Sequence, residues 1–92
     1  MEVSKIMDNF EELKKILRNW AIVRGSEIKI IDPPLIITIS KLEKSITFEI
    51  GDKFVAILTD DCVRVEEGFE EVVEEWLIAL TSLGFKRYLL KR

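Results

Sequence analysis

From Ser4 or Asp8 to Arg24 the apolar residues Ile6, Phe10, Leu13, Leu17, Trp20 and Ala21 recur at helical spacing, which gathers them on one side of an amphipathic helix. Asp8 with Glu11 has the form of a capping box, and Gly25 stands where a left-handed cap would close the last turn. Between Glu27 and Glu66 the period falls to two. Strands are predicted at about Glu27–Ile31, Leu35–Ser40, Ser45–Ile50, Phe54–Thr59 and Cys62–Glu66. The breaks between them are Asp32-Pro33-Pro34, Lys41–Lys44, Gly51-Asp52-Lys53 and Asp60-Asp61. Connections this short join antiparallel neighbours, because a parallel crossover takes a dozen or more residues. A second helix opens at Glu67-Gly68, carries Phe69, Val72, Val73, Trp76, Leu80 and Leu83 as its stripe, and ends at Gly84. The tail Phe85–Leu90 alternates and could add a short sixth strand.

The strand positions sort into two faces. Ile28, Ile30, Leu35, Ile37, Ile39, Ile46, Phe48, Ile50, Val63 and Val65 form an apolar set that both helices should cover. The alternate positions, Glu27, Lys29, Thr38, Ser40, Ser45, Thr47, Glu49, Arg64 and Glu66, are polar, as on an antiparallel sheet with one wet face; Ile31 and Ile36 are the exceptions. The expected fold is a single α+β domain over 1–92: a two-layer sandwich with an N-terminal helix, a meander-like antiparallel sheet of about five strands and a C-terminal helix. Two features leave apolar residues to spare. The fourth strand is apolar on both sides, with Phe54, Ala56 and Leu58 against Val55 and Ile57. Ile78 falls opposite the stripe of the second helix and, with Leu77 and Ala79, makes its second half apolar nearly all round. A contact surface using Ile78, Leu77, Phe54, Val55 and Ile57 is the reading that uses both.

Composition removes whole classes of chemistry. The 92 residues contain no His and one Cys, so Ser-His-Asp and Cys-His catalysis, Cys/His zinc sites and histidine switching are excluded, and Cys62 has no partner for an internal disulfide. No apolar stretch approaches the roughly 18 residues of a membrane span and the N-terminus lacks a signal pattern, so a cytoplasmic location is expected. The chain has no Gln, two Asn, 12 Glu, 9 Lys and 13 Ile, a balance reported for hyperthermophile proteins.

Several local patterns are candidate sites. Glu66, Glu67, Glu70, Glu71, Glu74 and Glu75 form an acidic run that a solvated helix face and the helix dipole explain; a basic partner or a weak divalent-ion site is the alternative use. Lys86, Arg87, Lys91 and Arg92 beside Tyr88 carry four positive charges with no acid among them, which could bind nucleic-acid phosphates with one stacking ring. Asp60-Asp61 reads as a turn or, with another carboxylate, as a divalent-metal site. Glu27-Ile28-Lys29 matches half of a metal-dependent nuclease pattern without the required preceding Asp, and no Gly-rich nucleotide loop or RNP aromatic motif occurs. Trp20 and Trp76 lie on helix stripes and read as core; Cys62, beside two acids, is a poor thiolate.

The order of helix, antiparallel strands and helix is similar to that of frataxin-like domains over most of the chain. The resemblance implies the layer order. That family's acidic first helix and sheet-exposed Trp are not matched, since Glu2, Asp8, Glu11 and Glu12 are balanced by Lys5, Lys14, Lys15 and Arg18 and both Trp residues fall on helix stripes. The expected function is therefore a protein-interaction or assembly module without catalysis, metal or cofactor, acting as a homodimer or in a larger complex. A nucleic-acid-binding accessory protein is the alternative.

Overall fold

A computed structural model describes residues 2–82. Two short helices, α1 (Glu2–Asp8) and α2 (Phe10–Ile16), precede six strands: β1 (Ile22–Arg24), β2 (Glu27–Asp32), β3 (Leu35–Ser40), β4 (Ser45–Ile50), β5 (Lys53–Thr59) and β6 (Val63–Val65). Helix α3 (Glu70–Ser82) follows. The strands form one antiparallel sheet in chain order, a meander, so the α+β architecture is as the pattern implied but with six strands instead of five.

The extra strand comes from the stretch expected to finish the first helix. The stripe Val3, Ile6, Phe10, Leu13 and Leu17 is fully buried and runs through both short helices, which meet at Asn9. There the backbone turns out of helical geometry, with φ −100° and ψ 14°, and Asn9 N–H is shared between Lys5 O and Ile6 O. Asp8 ends α1, so the capping box is not formed; Asn9 caps α2 without a side-chain hydrogen bond. Past Leu17 the β-branched Ile22 and Val23 extend and pair with Lys29 and Ile28. Gly25, at φ +53°, makes the tight turn between Arg24 and Glu27 and is a hairpin residue, not a helix cap. Trp20, lying between helix and strand, is 45% exposed and is not a core residue.

One face of the sheet carries the core. Ile28, Ile30, Leu35, Ile37, Ile39, Ile46, Phe48, Ala56 and Leu58 pack with the helix stripes and with Val73, Trp76, Ala79 and Leu80 of α3. Ile50 and Val65 are partly buried there, while Val63, at the sheet edge, is more than half exposed, contrary to the expectation that the helices cover it. Two polar links fix the helical layer. Trp76 Nε1–H donates to the buried Asp32 carboxylate at 3.1 Å, tying α3 to the end of β2. Ser4 Oγ donates to Asp60 at 2.9 Å, tying α1 to the β5–β6 turn. The residues from Leu83 onward, including Gly84 and the suggested strand Phe85–Leu90, lie outside the described residues.

Candidate interaction surface

All three helices sit on one side of the sheet, and among the described residues no element packs on the other. Strand register fixes what that open face displays. One row across it reads Ile31, Ile36, Glu49, Phe54; the next reads Ile22, Lys29, Thr38, Thr47, Ile57, Arg64; a third reads Arg24, Glu27, Ser40, Ser45, Thr59. Trp20 precedes β1 and is not paired with β2; its N–H closes the helical turn on Leu17 O.

Phe54 reaches this face through a bulge. The β4–β5 register jumps from Phe48↔Ala56 to Glu49↔Phe54, leaving Val55 without an opposite partner. A bulge inserts one extra residue and so reverses the alternation beyond it. Val55 and Ala56 both turn inward and are buried, while Phe54 and Ile57 are left on the open side. The doubly apolar strand is thereby explained within one chain as far as Val55 is concerned, and Val55 belongs to the core, not to a contact surface.

The result is a graded surface. At one end the apolar residues are only half hidden: Ile22 is 46%, Ile31 48% and Phe54 54% exposed. Toward the other end the floor is Thr38, Ser40, Ser45 and Thr47, four small hydroxyl side chains from the two central strands. They form the base of a shallow trough of about 420 Å³ flanked by Glu27 and Lys29 on one side, Glu49 and Phe54 on the other, and Leu42 and Glu43 of the β3–β4 loop. Three cations (Arg24, Lys29, Arg64) and two carboxylates (Glu27, Glu49) share the rows, so the face is close to neutral and mixed in sign. That composition does not favour a polyanion.

The residues singled out from sequence fall in three places. Phe54 and Ile57 lie on the open face, Val55 in the core, and Ile78 and Leu77 on α3 across the sheet, with Ile78 59% exposed and Leu77 partly buried against the core. These five do not make one surface. Ile22 was missed because it was assigned to a helix; the signal that finds it is the Arg24-Gly25-Ser26-Glu27 hairpin, which turns the preceding Ile22-Val23 into a strand. Lys86, Arg87, Tyr88, Lys91 and Arg92 lie outside the described residues.

The other candidates resolve into local structure. Asp60 accepts the Ser4 hydroxyl, and among the described residues no three side chains of metal-binding type gather together. Cys62 is exposed in the β5–β6 turn, where its N–H donates to Thr59 Oγ1 at 3.0 Å and its carbonyl accepts from Thr59 N–H at 2.7 Å. The strand before Glu27-Ile28-Lys29 is β1, which carries Ile22, Val23 and Arg24 and no acid, so it does not complete the nuclease pattern. Of the acidic run, Glu66 binds Lys53 at 2.7 Å and Glu70 accepts the Gly68 N–H at 2.9 Å; Glu67, Glu71, Glu74 and Glu75 are exposed. No described helix is long and apolar enough to cross a membrane.

Comparison with known proteins gives a family. No solved structure matches the chain. A protein of Archaeoglobus fulgidus titled "Uncharacterized protein" is 32% identical over 89 residues, which cover 97% of this chain and 95% of that relative. The family model described as "Archaeoglobi AF1636 family protein" matches residues 2–92. A match over nearly the whole chain, together with a full-length relative at this identity, means that the chain belongs to the Archaeoglobi AF1636 family.

Proposed function

We propose that this protein is a small assembly module, without catalytic activity of its own, that works by binding another polypeptide on the open face of its sheet. The observation that carries the reading is the half-exposed apolar set Ile22, Ile31 and Phe54 on that face. Wet faces of antiparallel sheets alternate to polar residues, and the middle of this one does so with Thr and Ser. Covering the remaining exposed half of an Ile or Phe is worth about 1 kcal/mol per side chain, which a monomer forgoes and a partner recovers. Flat, hydroxyl-lined strands between the apolar end and the charged edges suit a protein surface better than a small substrate.

Sedimentation of labelled protein, alone and in extract of the source organism, tests this. Wild type should sediment as more than the 10.7 kDa chain in at least one of the two. The Ile31→Glu/Phe54→Glu double variant, with an unchanged melting temperature, should sediment as the single chain in both. A wild type that stays a single chain in both settings overturns the reading, as does a double variant that assembles like wild type.

A further inference from the structure

Resting on the open face as the binding surface, we infer that its partner is a different polypeptide whose apolar contact surface carries one cationic side chain, and that this cation meets Glu49. The order of residues in the first row carries this. It reads Ile31, Ile36, Glu49, Phe54 on four adjacent strands, so the carboxylate lies between the two apolar residues most exposed in that row. Neighbouring strands are about 4.8 Å apart, which sets Glu49 about 5 Å along the row from Ile36 on one side and from Phe54 on the other. A continuous contact that covers both Ile31 and Phe54 covers Glu49 as well.

That carboxylate restricts what can bind. Glu49 is already partly buried, and the described residues give it no ion pair. It is satisfied by water instead, since among the described residues no side-chain oxygen or nitrogen is both buried and without a partner. A partner that expels this water and offers only carbon leaves a buried, unpaired charge, which costs several times what covering one apolar side chain gains. A cation at that point turns the loss into a contact. Arginine fits best, because its planar guanidinium can engage both carboxylate oxygens and is more weakly hydrated than an ammonium.

The cations of this face do not fill the place. Lys29 and Arg64 each stand two strands and one step of the alternation from Glu49, about 12 Å between Cα positions. Lys53, near the end of the row, is bound to Glu66 at 2.7 Å. Nor does the same face of a second copy offer the required pattern. The row neighbours of Lys29 are Ile22 and Thr38, Arg24 stands beside Glu27, and Arg64 lies on the last strand of the sheet with Ile57 on one side only. A cation between apolar neighbours therefore belongs to a different polypeptide surface.

Titrating the labelled full chain with extract of the source organism, read by sedimentation velocity, tests the counter-charge. Wild type should enter a complex that Ile31→Glu/Phe54→Glu abolishes. Glu49→Leu lengthens the apolar row, yet should weaken the complex about thirtyfold or more because it leaves the partner's cation buried and unpaired. Glu49→Gln should weaken it about tenfold, and Ile78→Glu should leave it unchanged. If Glu49→Leu does not keep the wild-type melting temperature, Glu49→Gln carries the comparison. The partner peptide that crosslinks to a benzoylphenylalanine at Thr47, the next open-face residue of β4, should contain an Arg or Lys between apolar residues. Changing that residue to Glu should restore binding to Glu49→Arg.

A complex that Glu49→Leu leaves unchanged or tightens, or that Glu49→Gln leaves unchanged, overturns the counter-charge and leaves the proposed function standing. An equal loss from Lys29→Met does the same, since it would place the cation in this chain. Assembly of the purified chain alone, with the same dependence on Glu49, overturns the choice of a different polypeptide. A wild type that forms no complex in either setting, or a complex indifferent to Ile31 and Phe54, overturns both readings.

Discussion

The two faces of one sheet are built from the same alternation and end in different conditions. On the covered face, Ile28, Ile37, Ile39, Ile46 and Phe48 are fully buried under three helices. On the other, one residue along each strand, Lys29, Thr38, Thr47 and Ile57 are only partly covered and Ile31 and Phe54 are about half exposed. The covered face is uniformly apolar because any polar atom there would lose its water without a partner. Among the described residues the one buried carboxylate, Asp32, is placed where the Trp76 indole can donate to it. The open face tolerates Thr, Ser, Lys and Glu, so its Ile and Phe residues are not needed to close the fold. Apolar residues that the fold does not require point to a contact outside it.

The largest effect should separate two phenylalanines. Phe48→Ala empties a fully buried position and should cost about 3–5 kcal/mol in chemical denaturation. Phe54→Ala, measured on dilute protein, should stay within about 0.5 kcal/mol, in keeping with a surface position. Equal losses at the two sites would erase the distinction between the faces. Next comes the anchor of the covering layer. Trp76→Phe removes one donor to buried Asp32 and should cost about 1 kcal/mol beyond its lost volume, and Asp32→Asn, which keeps an acceptor oxygen, should recover part of it.

A smaller effect of opposite sign is expected in the β3–β4 loop at the end of the trough. Lys44 is held at φ +52°, a conformation costly for any residue with a Cβ. Lys44→Gly should therefore raise stability by about 0.5–1 kcal/mol, and a loss would mean that the lysine side chain contributes more than its backbone strain. The smallest effect belongs to the sheet edge. Lys53 and Glu66 are bridged at 2.7 Å with side chains 69% and 39% exposed, and a double-mutant cycle should find about 0.5 kcal/mol or less, shrinking with added salt.

Most of this arrangement was legible in the residues, for reasons that also mark where reading stopped. Strands β3 and β4 match their predicted bounds because each is a six-residue alternation closed by turn residues, and the buried stripe Ile6, Phe10, Leu13, Leu17 is a plain helical period. The end of the first helix was misread because Gly25 serves equally as a helix cap or as the first residue of a tight hairpin. Deciding between them needs the pairing of Ile22-Val23 with β2, a contact no single segment reveals. The bulge at Val55 was visible only as an ambiguity, since a slip of one residue makes both sides of a strand look apolar. Of the candidate surface, Phe54 and Ile57 could be named from the pattern and Ile31 noted as an exception. Ile22 could not, because its place on the open face depends on the strand that was not foreseen.

Binding on the open face is tested most directly by photo-crosslinking from its centre. A benzoylphenylalanine in place of Thr47 should join the chain to a polypeptide, a second copy or another protein of the source organism's extract, and the Ile31→Glu/Phe54→Glu substitutions should abolish that product, while the same probe at Ile78 yields none. A product formed from Ile78 instead, or one from Thr47 that is indifferent to Ile31 and Phe54, would contradict the account.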